Sequence, residues 1–146
     1  MLLPPEADDW VAVSPGPLPV ERLATWPAVP RCGAVVVFAG TVRDHSEDRP
    51  AVTELEYEAY VRGAQRALWD VVGELRRKWP ELGRVALLHR TGRLVPTEVA
   101  VVTAVSAPHR REAFAAAERA IDAIKADAPI WKRETWADGP AWGVGA

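Results

Sequence analysis

The stretch KADAPIWKRE, residues 125–134, hands a helix over to a strand and sets a lysine on either side of the join. Upstream, a helix is predicted from near Pro108, with Ser106 as its cap. It runs through apolar residues at Phe114, Ala117, Ile121 and Ile124 and stops at Pro129. Downstream, residues 130–136 resume as a strand. The lysines stand out because the chain has only three, against fifteen arginines. An ammonium kept at two neighbouring positions, Lys125 and Lys132, points to a task that a guanidinium cannot perform, namely losing a proton to act as base or nucleophile. The plainer alternative is that a lysine in a last helical turn is favoured by the negative end of the helix dipole and needs no further reason.

Outward from this join, the remaining segments predict an α+β chain. Residues 10–13 read as an edge strand closed by Ser14-Pro15-Gly16-Pro17, and residues 18–26 as a short helix opened by Pro19 and ended by Pro27. Residues 32–42, rich in valine, read as a buried strand that runs into a mobile polar loop over 43–50. In residues 53–60, Leu55, Tyr57 and Ala59 alternate with Glu54, Glu56 and Glu58, which is the pattern of a half-exposed strand. Ala64, Leu68, Val71, Val72 and Leu75 recur at helical spacing across 61–79. Residues 85–89 and 99–105 read as an antiparallel pair, with turns at Thr91-Gly92-Arg93 and Pro96-Thr97-Glu98. The expected architecture is a single α+β domain over residues 1–146, with a mixed or antiparallel sheet and two long helices, α/β-hammerhead-like.

Composition narrows the classes of function. A chain of 146 residues, about half of them apolar, can bury one real core. A net charge of −2, with arginines scattered among carboxylates, gives no footprint for nucleic acid. Cys32 is the sole cysteine, which excludes an internal disulfide and a four-cysteine zinc site and suits a reducing, cytoplasmic setting. The start lacks a signal-peptide pattern and no apolar run reaches a membrane span, so a soluble protein with no membrane partner is expected. His45 and His89 lack partners at metal-ligand spacing and read as loop and core residues, with no metal assigned. The seven tryptophans point first to packing, although Trp131, between the lysines, could wall a pocket.

Three clusters could carry chemistry. Thr41, Val42 and Arg43 follow Gly40 at the end of the most apolar strand, where binding residues commonly sit; Gly40 itself is read as backbone freedom at a turn. His109 and Arg110 fall in the first turn of a helix, where their charge opposes the dipole. That arrangement makes sense if an anion lies between them and the helix, though a surface ion pair would serve as well. The third cluster is Lys125 and Lys132, followed by Arg133 and Glu134.

Taken in order, AVVVF (34–38), GTVRD (40–44), LEYEAY (55–60), HRTG (89–92), SAPHR (106–110), AIDAIK (120–125) and PIWKRE (129–134) resemble the catalytic large subunit of molybdopterin synthase. Pro96-Thr97-Glu98 departs from that family's usual glycine-glutamate turn, and the tail after Trp136 is short. The resemblance implies sulfur transfer to cyclic pyranopterin monophosphate, forming the dithiolene of molybdopterin without a cofactor of the enzyme's own. It also implies a partner, a small ubiquitin-like sulfur carrier whose C-terminal Gly-Gly ends as a thiocarboxylate. This chain has no Gly-Gly terminus and no room for the carrier ahead of Cys32, so a separate carrier is expected.

By the same resemblance, Arg43, His109 and Arg110 suit the phosphate, and Thr41 and Val42 contact substrate through the backbone. Lys125 and Lys132, beside Arg133, bind and catalyse, one of them as a neutral amine in proton transfer, and Glu134 orients a cation. His109 and Lys125 lie at opposite ends of one predicted helix, about 24 Å apart at ~1.5 Å per residue. One substrate cannot easily touch both. If both serve one pocket, the unit is a homodimer with shared sites, and with its carriers a heterotetramer. Two readings from other classes use the same cations: a non-catalytic module that docks a ubiquitin-like tail, and a phosphate-binding regulatory domain.

Overall fold

A computed structural model describes residues 2–45, 52–136 and 139–144. The first sheet takes the order β1-β4-β6-β2, formed by β1 (Asp9–Ser14), β2 (Ala34–Thr41), β4 (Val85–Arg90) and β6 (Val99–Ala107). β1 runs parallel to β4, and the other pairs, including the expected β4 with β6, are antiparallel. The second sheet, all antiparallel, takes the order β5-β3-β7-β8, from β3 (Glu54–Ala59), β5 (Gly92–Leu94), β7 (Ile130–Trp136) and β8 (Gly139–Val144). Two long helices, α2 (Val61–Lys78) and α3 (Arg110–Asp127), lie against the first sheet, and α1 (Val20–Leu23) is a single short turn after Pro19. No described helix is long and apolar enough to cross a membrane.

Alternation explains the layering. Val85 and Leu87 of β4 face the helices, where they meet Leu68, Val72, Leu75, Ile121 and Ile124; Ala86 and Leu88 face the other way, against Trp10, Leu23 and Trp26. With both faces covered, β4 is buried along nearly its whole length. The α3 face that meets the sheet is mostly alanine, at 113, 116, 117, 120 and 123, which lets the helix approach closely. A larger side chain there would overpack at a cost of ~1–3 kcal/mol. All five apolar positions expected on α2 are its buried ones. A third cluster, with Val42, Leu55, Tyr57, Ala64, Leu94, Ala100 and Ile130, fills the space behind the second sheet.

Several expectations are corrected. β2 starts at Ala34, after the partly exposed Cys32, and is the outer strand of its sheet, half-buried instead of buried. Gly92 has the positive φ of a turn residue, yet residues 92–94 continue as a strand paired with β3. Ser106 does not cap α3: it lies in β6, and its Oγ accepts the Arg84 N–H at 2.9 Å. His109 occupies the cap position without a side-chain cap bond. Phe114, expected on the buried stripe of α3, is 63% exposed. The loop expected over 43–50 can be followed to His45, and its remainder and expected mobility lie outside the described residues.

Candidate active site

β2, β3, β6, β7 and the end of α3 converge on one cavity of about 460 Å³. Three cations line it: Arg43, just beyond β2; Lys125, in the last turn of α3; and Lys132, on β7. Thr41, Val42 and Glu134 line it too, so six of the nine predicted site residues meet here. Lys132 Nζ lies 3.4 Å from Glu134 Oε1, on neighbouring inward positions of the strand. Lys125 has no ion pair among the described residues. With three cations against one lining carboxylate, the cavity suits an anion even though the whole chain carries −2.

The geometry around Arg43 is fixed from behind. The Thr97 N–H donates to the Val42 carbonyl at 2.8 Å, and the Val42 N–H donates to the Glu98 carbonyl at 2.9 Å. Glu98 in turn accepts from the Val95 N–H at 2.8 Å and from Arg90 Nη1 at 3.1 Å, and these two bonds, in that order, hold its carboxyl below the usual range. Thr97 sits at φ 78°, a left-handed conformation that glycine adopts without strain and threonine does not. The turn that departs from the glycine-glutamate pattern is therefore the one that braces the residue before Arg43. Gly40 serves a different purpose from the one expected. It lies inside β2, where an added Cβ would come within 2.6 Å of Val101 Cγ1, so it allows close approach to β6 at the point where the β2–β6 register shifts.

The other three predicted residues lie elsewhere. His109 and Arg110 open α3, at the end opposite Lys125, and border separate surface hollows with Glu112 and Phe114. The two sets are about 24 Å apart along the helix, as sixteen residues at ~1.5 Å require. Arg133 points to the other face of β7, opposite Glu56 in the sheet, with Nη1 4.0 Å from that carboxylate. Trp131 shares this outer face and does not wall the cavity.

Among the lining residues that sequence reading missed are Phe38, Leu55, Tyr57 and His45. Alternation in LEYEAY gave a signal for two of them, since it puts Leu55 and Tyr57 on the inner face. That this face meets Lys132 and Glu134 depends on pairing with β7, about 75 residues away in the chain. Tyr57 is 6% exposed, and burial first, then the charge of Glu134, pushes its phenol up to about 12. Behind it lies His89, fully buried as the core histidine expected, its Nδ1–H donating to the Arg90 carbonyl at 2.6 Å. Burial lowers this imidazole to about 4.

Comparison with known proteins shows what the chain and its fold are similar to. The family model described as MoaE protein matches residues 13–127. A curated relative from Nostoc sp., named molybdopterin synthase catalytic subunit, is 42% identical over 137 residues, spanning 94% of this chain and 82% of its own length. A crystal structure of molybdopterin synthase from Staphylococcus aureus superposes with a TM-score of 0.83 at 39% identity, over 90% of this chain and 94% of that one. A protein–protein complex of subunits 1 and 2 of molybdopterin-converting factor from Helicobacter pylori shares the fold, with a TM-score of 0.67 at 18% identity over 94% and 90% of the two chains.

Proposed function

The chain belongs to the MoaE family, and from that premise we propose that it is the catalytic subunit of a molybdopterin synthase. It moves sulfur from the thiocarboxylated C-terminus of a small ubiquitin-like carrier to cyclic pyranopterin monophosphate, producing the molybdopterin dithiolene. One observation carries the reading: Arg43, Lys125 and Lys132 open onto a single cavity. Both reactants bring an anion, the cyclic phosphate and the thiocarboxylate, and a cavity with three cations lowers the cost of holding both at once.

Within that pocket the residues divide the work. Arg43, at the mouth and braced through Val42, offers a planar fork of donors to the phosphate. Lys132, held by Glu134, is a fixed positive charge against the reacting anion. Lys125, with no carboxylate ion pair among the described residues, is the amine free to exchange a proton as sulfur adds. Thr41 is exposed on the cavity wall and fits a backbone contact to the substrate, whereas the backbone groups of Val42 are already paired with Thr97 and Glu98, so Val42 lines the pocket with its side chain.

His109 and Arg110 join this site as donations from a second copy of the chain. A homodimer therefore carries two shared sites and, with a carrier bound at each, becomes a heterotetramer. The helix dipole supports this arrangement, because Arg110 opposes it at the start of α3 and, even with Glu112 in the same turn, makes no ion pair among the described residues. Arg133 acts from the outer face of the sheet, apart from the reacting groups. A reducing cytoplasmic location agrees with a chain that has one cysteine.

The test is reconstitution. Purified protein incubated with thiocarboxylated carrier and the cyclic pterin phosphate is expected to form dithiolene product, detected by its oxidised fluorescent derivative. Binding of both components without product would instead fit the non-catalytic docking module.

A further inference from the structure

Tyr57 is the buried group that this division of work leaves unused. The residue is only 6% exposed yet lines the cavity, and its hydroxyl, which is not one of the fully buried unpaired polar atoms, makes no hydrogen bond to any described residue and so opens onto the cavity. A tyrosine whose ring is buried and whose O–H opens onto a cavity is satisfied by water there, and an acceptor on a bound ligand can take that water's place. The register gives the phenol its address. Tyr57 lies directly opposite Lys132 in the β3–β7 pair, and Leu55 lies opposite Glu134, which makes Glu134 the diagonal neighbour of the ring on the same face. The ring is also held in place. It meets the His89 ring edge to face, centroids 5.1 Å apart, and His89 is itself tied to the Arg90 carbonyl.

This inference rests on reading the cavity as the sulfur-transfer pocket. We propose that Tyr57 is a further substrate-contacting residue, donating its O–H to an anionic oxygen bound beside Lys132. Arg43, Lys125 and Lys132 attract an anion from any direction, but a single O–H on a clamped ring is satisfied only by an acceptor at one place. It therefore adds a neutral, directional donor to a site whose other polar contacts are cations. The phenol keeps its proton at working pH, because burial and the neighbouring Glu134 push it up to about 12, so it faces the anion as a neutral donor. The oxygen can belong to the pterin phosphate or to the carrier's terminal carboxyl group, and the chemistry is the same for both.

Tyr57→Phe removes the oxygen and leaves the ring against His89. Wild type and variant are titrated separately with cyclic pyranopterin monophosphate and with carrier ending in an ordinary Gly-Gly carboxylate, and the melting temperature of each protein is measured. The variant is expected to melt at the same temperature or higher, since it loses no internal hydrogen bond, while one ligand binds about tenfold more weakly and the other is unchanged. The ligand affected identifies the source of the oxygen. Unchanged affinity for both ligands overturns the inference and leaves the sulfur-transfer reading standing. A lower melting temperature with both affinities falling together also overturns it, because that is the mark of a structural phenol. Failure of wild type to bind either ligand removes the sulfur-transfer reading itself, and this inference with it.

Discussion

The two ends of α3 carry cations for which the surrounding protein does opposite things. At its last turn, Lys125 faces a cavity walled by two sheets, where Lys132 is ion-paired and Arg43 follows a turn that grips Val42 from both sides. At its first turn, His109 and Arg110 are exposed, nothing caps the helix with a side chain, and Phe114 stands out in solvent beside them. One end opens into a cation-lined cavity, and the other is a cationic, apolar surface without such a cavity. A helix gains from cations at its C-terminus and loses from them at its N-terminus, so the first turn is the end that needs a reason from outside the protomer. On the shared-site proposal, the difference between the ends is what a site built in two halves requires.

If the walled end performs the chemistry, its lysine cannot be exchanged for a second guanidinium. Lys125→Arg keeps the charge and loses the amine, and kcat is expected to fall by ~10²–10⁴-fold with little change in melting temperature. A variant that turns over normally would reduce the pocket to a docking groove and make the two ends alike. Arg110→Lys, at the open end, where charge alone is needed, should cost far less in the same assay.

Acid should separate the ends next. His89 titrates near 6.5 in the unfolded chain and at about 4 in the folded one. Between those values the unfolded state binds the extra proton, so stability rises with pH across this window and is lost as pH falls from about 6.5 toward 4. The full span amounts to roughly 3 kcal/mol. Denaturant melts of wild type and His89→Gln across that range would show it, with the variant giving the flatter dependence. Because His89 backs Tyr57, amides of β3 and β7 should lose exchange protection before those of the second turn of α3, the first that are hydrogen-bonded within the helix; the reverse order would detach His89 from the pocket.

The smallest effect concerns the turn. Thr97→Gly should relieve the positive φ and stabilise the protein by ~1 kcal/mol, less the added freedom of the unfolded chain. Any change in anion affinity should be confined to ligands that contact Arg43. A destabilised variant would mean that the threonine side chain contributes more than its backbone conformation costs.

What could be read in advance follows from how local each feature is. The apolar stripe of α2, the alternation of β3 and the handover at Pro129 depend on spacing within one element, and the structure has them where the spacing put them. Phe114 obeys the same spacing and is exposed, because an apolar stripe marks a surface to be covered without saying whether the cover comes from the same chain. β2 was read as buried because its valines and Phe38 are apolar. It is an outer, half-buried strand, and of its apolar residues Phe38 and Ala39 border the cavity. Lys125, Lys132, Glu134 and Arg43 were legible as chemistry-bearing types close to a join or a strand end. Tyr57 was not, since only the pairing of β3 with β7 brings it beside Lys132.

The claim that the two ends of α3 complete one site is tested most directly by mixing subunits. His109→Ala and Lys125→Ala proteins, each inactive alone, are unfolded together and refolded so that hybrid dimers form, and the mixture is assayed for dithiolene product. A shared site predicts recovery of about one quarter of wild-type activity, since half the dimers are hybrids and each hybrid holds one intact site. Hybrids shown to be present, with no activity recovered, would contradict it.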